Sequence, residues 1–144
     1  MTTRTASATW NGTLLEGTGE LTRVESGAFG GLPVSWPRRS ESHDGVTSPE
    51  ELLAAAHASC FAMALSGGLA RNSTPAEKLD VSATVTFEKV EAGWRVTKSA
   101  LTLRGEVPGL DYAKFAELAE GAKGGCPISA ALAGNVEITL SIPD

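Results

Sequence analysis

The chain lacks an excess of positive charge. Twelve Lys and Arg stand against seventeen Asp and Glu, a net charge of −5 over 144 residues. Nucleic acid and anionic membrane surfaces are held through basic patches, and no run of basic residues supplies one, so neither is expected as a partner. The N-terminus, Met1 to Trp10, has no apolar core of the kind a signal peptide carries. The most apolar segment, Leu52 to Leu65, is fourteen residues long and includes His57 and Ser59. A bilayer requires about twenty apolar residues, so a soluble, cytoplasmic protein is the expectation. The patterns of nucleotide binding and serine hydrolysis (GxGxxG, the P-loop, GxSxG) are missing. Cysteine is scarce, with two residues, Cys60 and Cys126. In a reducing compartment such a pair seldom staples a fold and more often carries chemistry.

What is present suffices for one domain spanning 1–144: 42% of residues are hydrophobic and 20% charged, with no repeat, low-complexity tract or Pro/Ser-rich linker. The first third reads as short strands. Arg4 to Trp10 and Thr13 to Val24 flank Asn11-Gly12, a dipeptide suited to a tight hairpin turn. A glycine-rich loop, Ser26 to Gly31, precedes an extended stretch around Val34 to Arg39. Ser48 and Pro49 open a helix, with Glu51 placed to complete a capping box and Glu50 favoured by the helix dipole. From Leu52 to Gly67-Gly68 the residues are small or apolar on every side, the pattern of a helix surrounded by protein. Leu79 to Lys89 and Trp94 to Arg104 alternate as a hairpin about Glu91-Ala92-Gly93. Asp111 caps a helix from Tyr112 to Ala122, Pro127 to Ala133 forms another, and Asn135 to Ile142 closes the chain as a strand. The order is that of an α+β fold.

Cys60 falls in the middle of the apolar helix, where burial raises a thiol's pKa and leaves it inert unless a cation or donor stabilises the thiolate. Cys126 occupies the N-cap of the helix opened by Pro127, so its thiolate is the one favoured by local physics. Candidate partners for Cys60 are Arg38 and Arg39, whose charge is permanent, and His57, three residues earlier on the same helix face, which could act as a base but is more simply read as a core histidine with a satisfied hydrogen bond. If Glu51 is used by the capping box, Glu50 is free to act elsewhere. A zinc set of His57, Cys60, Cys126 and His43 can be written, but it has no CxxC or HxxxH pair, and no metal is expected.

Thr47-Ser48-Pro49-Glu50-Glu51-Leu52-Leu53-Ala54-Ala55-Ala56-His57-Ala58-Ser59-Cys60-Phe61 resembles the helix motif of the OsmC/Ohr family of organic hydroperoxide reductases, and Ala122-Lys123-Gly124-Gly125-Cys126-Pro127-Ile128-Ser129 resembles that family's second cysteine motif. His57 and the Gly-Cys-Pro-Ile-Ser wording are closer to the OsmC branch. The resemblance implies an OsmC-like fold, with antiparallel sheets around a long central buried helix, in an intertwined homodimer. It implies a peroxidase in which Cys60 is the peroxidatic and Cys126 the resolving cysteine. Glu50, together with Arg39 or its neighbour Arg38, would organise the thiolate. No bound cofactor is implied; the reductant would be an external dithiol, usually a lipoyl group. Ten helical residues rise about 15 Å, so Glu50 and Cys60 serve one site most simply if that site is shared between two subunits. The alternative reading is an OsmC-like protein that binds a small apolar ligand and makes little catalytic use of its thiols.

Overall fold

The computed structural model describes residues 1–143. Its elements follow the order β1 (Ala6–Asn11), β2 (Thr18–Val24), β3 (Leu32–Val34), α1 (Trp36–Ser40), α2 (Pro49–Arg71), β4 (Lys78–Val90), β5 (Gly93–Glu106), α3 (Tyr112–Gly125), α4 (Pro127–Leu132) and β6 (Glu137–Ser141). They group into two compact units that meet in the sequence at Leu52/Leu53.

The first unit is an antiparallel sheet in the order β1-β2-β3, followed by α1 and the first turn of α2. Asn11 pairs with Thr18, so the β1–β2 connection is a six-residue loop rather than the two-residue turn expected at Asn11-Gly12. Gly12 supplies a positive φ of 92° at its start, which only a residue without Cβ adopts freely. The expectation of an extended chain to Arg39 also fails. Ser35 accepts a hydrogen bond from the Arg38 N–H, and with Pro37 in the first turn it starts the short helix α1. This is the same start signal as Ser48-Pro49, and it places Arg38 and Arg39 in a last helical turn.

The second unit packs the rest of α2, with α3 and α4, against the sheet β4-β5-β6. Strands β4 and β5 form the expected antiparallel hairpin, with a register shift between Thr86 and Phe87. Strand β6 pairs in parallel with β5, from Lys98 opposite Glu137 to Thr102 opposite Ser141. The sheets are therefore not wholly antiparallel. Because α3 and α4 intervene, the chain crosses back before β6 begins and runs beside β5 in the same direction.

Helix α2 runs straight through Gly67-Gly68, past its expected end. Leu69, with no exposed surface, anchors the last turn, and the Asn72 and Thr74 N–H groups close it on the Gly68 and Leu69 carbonyls. At 23 residues it is long and apolar enough to cross a membrane by length and composition, which the fourteen-residue apolar segment was not. The core helix of a globular protein passes the same test, and here His57, Phe61, Leu65 and Leu69 form one fully buried stripe at four-residue spacing. Phe61, Leu65 and Leu69 join Leu101, Leu103, Phe115, Ala119, Ala122 and Cys126 in a single core. The expectation of a helix enclosed on all sides is thus half met: Met63, on the opposite face, is 71% exposed. Replacing Leu69 by Ala should cost about 2–5 kcal/mol in urea unfolding, the range for an unrelaxed core cavity; a cost near zero would mean the last turn is frayed.

Candidate active site

Three local structures position the chemistry-bearing residues. In the first unit, the Ser48 hydroxyl accepts the Glu51 N–H at 3.2 Å, while the Glu51 carboxylate takes the Thr47 hydroxyl at 2.7 Å rather than closing the reciprocal half of a capping box. Glu50 is left to face inward and is 7% exposed. Arg39 meets it as a fork: Nε lies 3.0 and 3.1 Å from the two carboxylate oxygens, and Nη2 2.8 Å from Oε1. Such a bidentate pair fixes the plane of the guanidinium as well as its position. Arg38 turns away to pair with Asp44 on the surface. The Ser42 hydroxyl and the Arg38 charge hold that carboxyl below its ordinary value. The two neighbouring arginines, which the sequence left as alternatives, therefore differ sharply in setting. Beside the fork lies a largely apolar cavity of about 330 Å³, with Trp10, Leu14, Val34, Trp36 and Pro49 among its walls and Arg39 at its edge.

In the second unit the two thiols meet. Cys60 and Cys126 are both free, their sulfurs 2.9 Å apart, with Cys126 fully buried and Cys60 partly open. A disulfide spans about 2.05 Å, so the two sulfurs must approach by roughly 0.9 Å to bond. Cys126 is the N-cap of α4, where Pro127 at the first position has no N–H to compete. Burial opposes the Cys126 thiolate most strongly. The contact with Cys60, the N–H and hydroxyl of Ser129 and the N–H of Ile128 together outweigh it, and the thiol lies below its ordinary value. Neither N–H makes a full capping hydrogen bond to the sulfur; their effect is that of positive helix-end dipoles close by. Cys60 moves the other way. Burial and the neighbouring thiol raise it, and the Ile128 N–H offsets only part of that. We take the pair to lose its first proton at Cys126, as the helix N-terminus dictates, with Cys60 dependent on a further stabiliser.

The third structure was not foreseen. His57 is fully buried, and both ring nitrogens end on serine hydroxyls: Nδ1 lies 2.7 Å from Ser99 Oγ on β5, and Nε2 2.8 Å from Ser129 Oγ on α4. The sequence anticipated a satisfied core histidine but named neither serine. Ser99 carried a faint signal as a polar residue on the Leu101 and Leu103 face of β5. No group of three or more His, Cys, Asp or Glu residues placed to hold a metal occurs among the described residues.

Burial pushes the His57 imidazole below its ordinary 6.5. The folded protein keeps it neutral where the unfolded chain already takes a proton. Stability is therefore complete above about 6.5 and is lost as pH falls from there toward the depressed folded value, with a slope of at most about 1.4 kcal/mol per pH unit. Urea unfolding of the wild type and His57→Gln across this window should show the slope in the former and its loss in the latter. Equal slopes would place the acid sensitivity elsewhere.

Residues 42–141 match the family described as OsmC-like protein. Peroxiredoxin OsmC of Escherichia coli K12 is 41% identical over 133 residues, covering 92% of this chain and 90% of that protein. The organic hydroperoxide resistance protein OhrA of Bacillus subtilis is 33% identical over 115 residues, covering 78% and 80%. Among solved structures, the organic hydroperoxide resistance protein OhrB of Bacillus subtilis superposes with a TM-score of 0.76 at 27% identity, over 96% of this chain and 98% of that one. With two cysteines brought together beside the middle of helix α2, and with these relatives along nearly its whole length, the chain belongs to the OsmC-like protein family.

Proposed function

We propose that this protein is a thiol peroxidase that reduces organic hydroperoxides through a cycle of Cys60 thiolate, Cys60 sulfenic acid and Cys60–Cys126 disulfide. The names of its relatives support the reaction class. The observation that carries the cycle is the 2.9 Å separation of one partly open sulfur and one sealed sulfur. Cys60 thiolate attacks the distal oxygen of the hydroperoxide; the O–O bond breaks, an S–O bond forms, and the alkoxide departs and is protonated to the alcohol. The Cys126 sulfur then displaces hydroxide from Cys60, and an external dithiol of the lipoyl type reopens the disulfide by exchange in the cytoplasm.

Within its own unit Cys60 has burial against its thiolate and a single N–H for it. A fixed cation is what it needs, and Arg39, oriented by Glu50, is the guanidinium we assign to it. Since ten helical residues separate Glu50 from Cys60, the reading has Arg39 meet Cys60 of a second copy of the chain in a homodimer. The exposed Trp10, Leu14 and Met63 support a covering partner. The apolar cavity beside Arg39 would then receive the organic part of the hydroperoxide and favour it over hydrogen peroxide. That same cavity also suits the alternative, a binding protein for a small apolar ligand.

Intact-mass spectrometry after one equivalent of cumene hydroperoxide should find the wild type two hydrogens lighter, with Cys60 linked to Cys126. Cys60→Ser should be unchanged, and Cys126→Ser should carry one added oxygen on Cys60. A wild type that keeps both thiols is the binding protein instead. Arg39→Lys, which keeps the charge but loses the fork, should slow Cys60 oxidation by about 100-fold or more, whereas Arg38→Ala should stay within about twofold. Equal effects at the two positions would remove Arg39 from the site.

A further inference from the structure

The His57 imidazole is fully buried, and the cycle above gives it no chemical step. We propose that His57 is a positioning residue: its hydrogen bond to Ser129 seats α4 against α2 and so keeps the two reduced thiols paired before any covalent bond joins them. The proposal deepens the peroxidase reading, since it concerns the Cys60–Cys126 pair on which that cycle runs.

Two short side-chain contacts join α2 to the start of α4. One is Cys60 Sγ to Cys126 Sγ at 2.9 Å, and the other is His57 Nε2 to Ser129 Oγ at 2.8 Å. His57 precedes Cys60 by three residues on α2, and Ser129 follows the Cys126 N-cap by three as the third residue of α4. Positions three apart share a helix face, so the imidazole–hydroxyl bond lies about one turn along from the sulfurs, between the same two elements. Two contacts a turn apart fix the register of one element on the other, which a single contact does not. A thiol is a weak donor and a weak acceptor, so the imidazole bond is the stronger of the two in the reduced protein.

Little else holds α4 in place. With six residues it is too short to be stable alone, its N-cap makes no side-chain hydrogen bond, and its one buried residue is the polar Ser129. Ile128 and Leu132 are half-buried, whereas Pro127, Ala130 and Ala131 are exposed. The support on the N-terminal side is soft as well. Gly124 and Gly125 close α3, although a Cβ at either would meet nothing and neither has a positive φ, so both weaken a turn that alanine would strengthen. Apolar contacts tolerate sliding, whereas a hydrogen bond to a ring that is itself held does not. Ser99 on β5 holds that ring from the far side, Nδ1 to Oγ at 2.7 Å, and both residues are fully buried. A hydroxyl can donate or accept, so the bond to Ser129 stands in either imidazole tautomer. Releasing α4 would give the dithiol new conformations that the covalently tied disulfide cannot reach. Loss of the bond therefore favours the dithiol and makes the disulfide easier to reduce.

The test equilibrates the full-length protein with glutathione. The protein dithiol and glutathione disulfide exchange to the protein disulfide and two glutathione thiols, and intact-mass spectrometry after an acid quench reads the ratio. The equilibrium constant for the protein disulfide should fall about tenfold or more in Ser129→Ala and in His57→Phe, a potential about 30 mV less negative. The double variant should lose no more than either single one, because the same bond is missing in all three. Leu69→Ala, which weakens the core nine residues beyond Cys60 on α2, should stay within about twofold of the wild type. Unchanged constants in both single variants, additive losses in the double, or an equal fall in Leu69→Ala would overturn the proposal. Circular dichroism confirms that each variant is folded, and either single variant suffices if the other is not. A readout in the wild type alone uses hydrogen exchange at the Ala130 and Ala133 N–H groups, which donate to the Cys126 and Ser129 carbonyls. With α4 seated by the imidazole, these should exchange within about threefold of one another's rates in the dithiol and disulfide forms, and a larger acceleration in the dithiol would refute the clamp. Because glutathione supplies the oxidation, a protein that leaves cumene hydroperoxide unreduced loses the peroxidase reading while these constants and exchange rates still decide the role of His57.

Discussion

Two sulfur atoms 2.9 Å apart, one sealed and one half-buried, can carry at most one negative charge, and that constraint shapes the whole second unit. Each thiolate would be costly alone, because burial removes the water that would solvate it. Placed 2.9 Å apart, each thiol becomes a donor for the other's thiolate, so one proton leaves more readily and the second less so. The opposite shifts of Cys60 and Cys126 express this directly. The core sets that short separation. Phe61, Leu65 and Leu69 tie α2 to the sheet, and Phe115, Ala119 and Ala122 tie α3, so Cys126, at the end of α3, arrives beside the middle of α2.

Helix termini then decide which sulfur is favoured. Cys126 terminates α3, donating its N–H to the Ala122 carbonyl, and it is also the N-cap of α4. Pro127 makes the two roles compatible, since it cannot continue α3 but suits the first turn of a new helix. The residue before a proline is held extended, and Cys126 has φ −68° and ψ 124°. Three helices of this chain open with a small polar residue followed directly or at the second position by proline: Ser35 before α1, Ser48 before α2 and Cys126 before α4. In the first two the hydroxyl oxygen accepts an N–H, at 3.4 and 3.2 Å. In the third the larger, softer sulfur does not, and the uncapped helix end is left to act on the thiol pair.

Much of this was legible in the sequence because it is local. Ser48-Pro49 and Asp111 each fix a helix start through a bond to the N–H three positions on, Cys126-Pro127 does so through the proline alone, and the structure has all three starts. The β4–β5 hairpin follows from alternation and a single glycine turn. What sequence reading missed depends on contacts between distant residues. Running α2 through Gly67-Gly68 needs Leu69 in a core built partly from Leu101 and Phe115. The parallel pairing of β6 depends on which way the chain crosses after α4, which no residue of β6 encodes. At the site, the fork between Arg39 and Glu50 could be suspected once Glu51 was assigned to the helix start, although Glu51 in fact binds Thr47. The link from His57 to Ser99 and Ser129 joins residues 42 and 72 positions apart, and no spacing rule reaches that far.

The apolar faces left open carry the same logic into assembly. Helix α2 buries one stripe in its own chain and leaves Met63 on the other, so it is under-covered for a helix whose composition is apolar on every side. Strand β1 has no buried side chain, and Trp10 is 41% exposed. Scattered apolar residues on a surface require no explanation, but a long apolar helix with most of its residues short of full burial is a different matter. Covering that helix with the same face of a second copy would remove the exposure symmetrically. It would also draw the last of the water from around Cys60, strengthening every charge interaction at the sulfur and making a fixed guanidinium there correspondingly more valuable.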